Sequence, residues 1–194
     1  MSVQSIPRGR YGFERQGWWA TAAVLAVILA MWFIPAGIDA AVAAPVAQPV
    51  NPSITYTVTD DDAKATVTPA RGWFTSTGTS GSPLVFGTGG VTVVAQIFSD
   101  VEDIDRLWDR QDRQGQTATP VTHLNRNGTY TTPTGLSGPV GSISGGDMQG
   151  EVFLLAADGA NGNVLRIDVY GTAGAQSRHL DELTAFVDTA EMEL

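Results

Sequence analysis

The chain has 194 residues, no cysteine and a formal charge of −9 at pH 7. Without cysteine there is no disulfide, no thiolate nucleophile, no Cys-ligated metal and no lipid attachment of the lipoprotein type. The charge is divided: residues 1–17 hold Arg8, Arg10 and Arg15 against Glu14, whereas from position 51 onward 18 acidic residues face 8 basic ones, a balance that repels phosphate backbones and argues against nucleic acid as a partner.

Residues 1–17 read as a basic cytoplasmic tail. Trp18 to Ile34 is an uncharged run without Gly or Pro, bounded by Gly17 and Pro35. As a helix its 17 residues reach roughly 25 Å at about 1.5 Å per residue, the short end of a membrane span. Trp18, Trp19 and Trp32 lie near its ends, where aromatic rings favour the headgroup zone, and the preceding arginines predict the N-terminus inside. Two readings stand: an uncleaved transmembrane signal-anchor, or the apolar region of a signal peptide cut near Ala43, where Ala41-Val42-Ala43 has the small-residue form of a cleavage site. Both place the remainder outside the cytoplasm, on the cell membrane or secreted. Residues 35–53, with four prolines, read as an extended Ala/Pro linker.

Residues 54–192 read as one extracytoplasmic α+β domain. Ile54–Thr59 alternates apolar and polar, Asp60-Asp61-Asp62 makes a turn, and Ala63–Thr68 returns as a second strand. Pro69 to Trp73 breaks that strand and presents an aromatic; residues 75–83 form a loop. Leu84–Phe86 and Val91–Phe98 are further strands joined across Gly87–Gly90. Asp100–Gly115 predicts an amphipathic helix, capped by Ser99 or Asp100, with Val101, Ile104, Leu107 and Trp108 on one face. Residues 116–150 predict short strands and turns, with a hairpin turn at Asn127-Gly128. Glu151–Ala157 and Asn163–Tyr170 form a hairpin, and Ser177–Ala190 a closing helix with Leu180, Leu183, Phe186 and Val187 as its apolar stripe. The expected layout is an antiparallel sheet with two packed helices.

No catalytic, cofactor-binding or metal-binding set emerges. The only histidines, His123 and His179, have no second ligand at metal spacing, and there is no HExxH. Asp60-Asp61-Asp62 and Asp158–Asn163 read as turns rather than calcium loops. The glycine-rich stretches 87–90 and 135–146 match neither nucleotide fingerprint, and no serine stands in a G-x-S-x-G elbow. Trp73 and Trp108 are the conspicuous aromatics, read either as core or as the wall of an apolar ligand or partner surface.

A strand ending in Pro-x-x-Gly-Trp (Pro69 to Trp73), an amphipathic helix, a Gly-rich hairpin and a closing helix opened by His179-Leu180 resemble the Mog1/PsbP-like α/β/α sandwich. Actinobacterial envelope lipoproteins of the LpqN type share it; here the apolar run stands where they carry a lipid-anchoring cysteine. One lysine against ten arginines, with abundant alanine, fits a GC-rich bacterial source. The resemblance implies no catalytic residues. It implies a non-enzymatic binding or accessory role in the cell envelope, with an envelope protein, lipid or glycan as partner. The alternatives are a hydrolase with a dispersed Ser/His/Asp site and a structural subunit of a membrane complex.

Overall fold

The computed structural model describes residues 47–193 apart from positions 53, 77–82, 119, 147, 159–161 and 173. The basic tail, the apolar run Trp18–Ile34 and most of the linker lie outside the described residues. Among the described residues no helix is long and apolar enough to cross a membrane.

The fold is α+β, and every strand pairing in it is antiparallel. Among the described residues eleven strands run in chain order: β1 Gln48–Pro49, β2 Tyr56–Asp60, β3 Ala63–Val67, β4 Phe74–Ser76, β5 Leu84–Thr88, β6 Val91–Phe98, β7 His123–Thr131, β8 Ser137–Gly145, β9 Met148–Leu155, β10 Val164–Gly171 and β11 Glu191–Met192. Helix α1, Ile104–Thr117, follows β6, and helix α2, Leu180–Asp188, follows β10 after a 3-10 turn at Gln176–Arg178. Eight strands form one sheet in the order β1-β4-β5-β6-β10-β9-β8-β7, and β11-β3-β2 form a second, smaller one.

Period-two burial gives the large sheet two working faces. On β9, Phe153 and Leu155 join one apolar cluster while Val152 and Leu154 join another. The first cluster also holds Leu165, Ile167 and Val169 of β10, the α2 residues Leu183, Phe186 and Val187, and Val58, Ala65 and Val67 of the small sheet. The second holds Leu107 and Trp108 of α1 with Leu124 and Val164. One face is thus covered by α2 and the small sheet, the other by α1.

Several elements differ from expectation for local reasons. Gln48–Pro49, expected in the linker, is a strand on Thr75 and Phe74, and Val50 is buried. Thr75 and Ser76, expected in a loop, belong to β4. Ile54 is half exposed, and the strand starts at Tyr56. Helix α1 starts later because Asp100 takes a left-handed φ of 54°; Asp103 is the cap, its carboxylate accepting from the backbone N–H groups of Asp105 and Arg106. Gly115 lies inside the helix, and its carbonyl accepts from the amides of both Ala118 and Thr122. The stretch 116–150 contains two nine-residue strands, β7 and β8, and Asn127-Gly128 lies within β7. The closing helix begins at Leu180, after the 3-10 turn.

Asn127 is a β-bulge. Arg126 pairs with Gly141 and Gly128 with Val140, so two residues of β7 advance while one of β8 does. A regular strand would put Leu124 and Tyr130, six positions apart, on the same face. Across the bulge they part: Leu124 packs under α1, and Tyr130 packs on the α2 side, against Phe153.

Candidate functional site

Between α2 and the sheet lies a cleft of about 470 Å³, within the roughly 300–1,000 Å³ usual for small-ligand sites. Four neighbouring strands build its sheet side, each contributing a side chain on the α2 face: Tyr130 of β7, Val140 of β8, Glu151 and Phe153 of β9, and Val169 of β10. The register lines them up, with Val140 opposite Phe153 and Glu151 opposite Val169. Leu183 and Val187, four apart on α2, close the other side; Gln176, Ser177, Leu180 and Thr184 complete the lining.

Burial divides floor from rim. Phe153, Val169, Leu183 and Val187 are buried, while Glu151, Ser177, Thr184 and Leu180 are exposed. Leu180 is 59% exposed.

Polar groups are spread along the cleft: Tyr130 bonds Asp188 at the end of α2, whereas Gln176 and Ser177 precede its start, and Gln176 donates to the carbonyl of Gln149. The Tyr130 hydroxyl donates to the Asp188 carboxylate at 2.7 Å, and the Tyr130 and Phe153 rings meet edge to face, their centroids 5.3 Å apart. Burial pushes the Tyr130 phenol up to about 12, helped by its bond to Asp188 and by the negative charges of Asp188 and Glu151. Glu151 has no ion-pair partner among the described residues.

Trp73 and Trp108, considered for a ligand or partner surface, are core residues and line no part of this cleft. Trp73 is 0% exposed. The turn before it, with Gly72 at a φ of 88°, carries its ring inward to stack on Phe186 at 5.3 Å. Its indole N–H donates to Glu182 at 3.0 Å. Trp108 is 6% exposed because it faces the sheet from α1, over Gly141.

The other polar groups singled out in the sequence serve local structure. His179 holds Glu182 through Nδ1 at 3.2 Å, and its ring rests against Gly89. His123 is exposed on β7. Asp60 accepts from the backbone amide and the hydroxyl of Ser99, both at 3.1 Å, while Asp61 makes the turn with a φ of 47°. Among the described residues no three His, Asp or Glu side chains are grouped to hold a metal ion. On the α1 face, Arg166 donates to Asp168 at 2.7 Å and to Gln111 of α1. Burial raises the Asp168 carboxyl above its ordinary value despite the neighbouring guanidinium.

Nothing in the sequence marks the lining residues as one cleft. Glu151 and Phe153 were visible as one face of a strand, and Leu183 and Val187 as one face of a helix. Tyr130 was placed by a bulge that resembles a turn in sequence. No protein-family model matches the chain, and no curated protein does.

Proposed function

We propose that the protein is a membrane-tethered, extracytoplasmic binding domain of the bacterial cell envelope, non-enzymatic, with a Mog1/PsbP-like α/β/α sandwich presenting the cleft under α2 to an apolar ligand. The cleft carries the binding half of this reading. It is concave, its floor is apolar, and a few polar side chains, Tyr130, Glu151, Gln176, Ser177 and Thr184, line it, the pattern of a small-ligand site. The location half rests on Trp18–Ile34 and the arginines before it. A helix on each face of an antiparallel sheet accords with the sandwich.

Photolabelling of the full-length protein in nanodiscs with a neutral alkyl diazirine tests both halves. Peptide mapping is expected to find label in Trp18–Ile34 and also on the cleft residues Leu183 and Val187. Label confined to the apolar run removes the binding site. A protein recovered without residues 18–34 from the native membrane removes the tether and leaves the secreted form.

A further inference from the structure

The cleft is apolar within, and the one charged residue among its described lining is negative. Glu151 stands on its rim, and Asp188 lies behind the Tyr130 hydroxyl. Among the described residues no lysine or arginine lines it. Arg178, adjacent to the lining residue Ser177, is exposed and not part of the lining. The start of α2 would offer partial positive charge, but its first turn carries Asp181 and Glu182, which offset it. Glu182 is further engaged by Trp73 and His179.

Two aromatic rings stand beside this charge. Phe153 lies two residues from Glu151 on the same face of β9, and the Tyr130 ring meets Phe153 edge to face. Aromatic rings next to a carboxylate attract an organic cation by its charge and by the ring quadrupole, and accept the methylenes next to that cation. A carboxylate or phosphate head in the same place would meet two negative charges and no donor cation.

Resting on the reading of the cleft as a ligand site, we propose that its ligand is a cationic amphiphile. An ammonium-type head lies at Glu151 beside Tyr130 and Phe153, and an apolar chain runs over Val169, Leu183 and Val187. Glu151 is the residue that selects the charge, since among the described residues its carboxylate has no ion-pair partner. Asp188 is already bonded to Tyr130 and contributes field alone.

The test uses full-length protein in zwitterionic nanodiscs and three diazirine-bearing alkyl probes of equal chain length, with an ammonium, an uncharged hydroxyl and a carboxylate head. Labelling of Leu183 and Val187 is read by peptide mapping and normalised to the hydroxyl probe. The ammonium probe is expected to label the cleft about fivefold more than the hydroxyl probe, as one partly exposed charge pair allows, and the carboxylate probe less than either. Glu151→Gln is expected to abolish the ammonium preference while labelling by the hydroxyl probe persists. Equal labelling by all three heads, a carboxylate preference, or an ammonium preference unchanged in Glu151→Gln overturns the proposal and leaves the cleft a binding site. Absence of cleft labelling by every probe overturns the binding reading itself, and this inference with it.

Discussion

The Tyr130 hydroxyl donates to Asp188 at 2.7 Å across 58 positions of chain, tying the edge strand β7 to the end of α2. A carboxylate at a helix C-terminus is badly placed with respect to the helix dipole, and the phenol supplies the donor that offsets it. Tyr130→Phe is therefore expected to cost about 1.5–3 kcal/mol, the range for a hydrogen bond to a charged group, measured by urea unfolding. The folded phenol titrates at about 12, above its ordinary value of 10.0. A raised pKa means the contribution is full below pH 10 and is lost as pH rises through 12. Wild type should thus lose stability between these values, and Tyr130→Phe should lose less. Its phenolate absorbance should also lack the component near 12. An unchanged alkaline limb would show that Tyr130 is not the coupled group.

Deletion of Asn127 is expected to remove the bulge and turn Tyr130 to the opposite face. The bond to Asp188 and the edge-to-face contact with Phe153 would go together, for a combined loss of about 2–4 kcal/mol. The deletion should also bring the Tyr130 titration down from about 12. Loss of stability without that change would show that the strand slips elsewhere and keeps the ring in place.

Trp73 links the core to an ionisable group at its edge. The Glu182 carboxyl is held below its ordinary value of 4.5, first by the Trp73 N–H and then by His179, with desolvation opposing. A lowered carboxylate pKa contributes stability above 4.5 that is lost as pH falls through the folded value. Trp73→Phe keeps a ring against Phe186 and removes the donor, so its stability should fall less steeply in acid than that of wild type. Trp73→Ala should cost about 3–5 kcal/mol at neutral pH, as truncation of a buried aromatic does. Equal acid slopes in Trp73→Phe and wild type would separate Glu182 from the indole.

The sequence was most legible where one periodicity ran unbroken. Leu165, Ile167 and Val169 alternate cleanly and lie in the core; Ile104, Leu107 and Trp108 lie on one face of α1; the aspartate turn joins β2 to β3. It was least legible in β7 and β8. There Gly128, Gly138, Gly141 and Gly145 interrupt the pattern and imitate turns, yet three of them permit close approach: a Cβ on Gly138, Gly141 or Gly145 would meet the carbonyl of Leu154, Asn125 or Val121. The two-residue strands β1 and β11 are too short to carry a period. The two tryptophans stood out by type, whereas burial is set by which way a turn and a helix face point. The cleft was hidden because its residues come from four strands and a helix, and a one-residue bulge decides whether Tyr130 belongs to it.

Gly141 tests how closely α1 is seated. An added Cβ would lie 2.1 Å from the Asn125 carbonyl oxygen and 2.8 Å from Cη2 of Trp108. The carbonyl belongs to the paired strand and cannot give way without breaking the ladder where Arg126 faces Gly141. Gly141→Ala is therefore expected to push Trp108 outward and lower stability by about 1–3 kcal/mol, the cost of overpacking. Trp108 should become more accessible to an aqueous quencher. Gly128→Ala is the matched control, since a Cβ there meets nothing within 4 Å. Its backbone also avoids the left-handed region, so the change should be neutral or gain up to about 1 kcal/mol by restricting the unfolded chain. If both variants behave alike, the close seat of Trp108 over β8 does not hold α1 in place; if only Gly141→Ala loosens Trp108, the helix depends on the missing side chain beneath it.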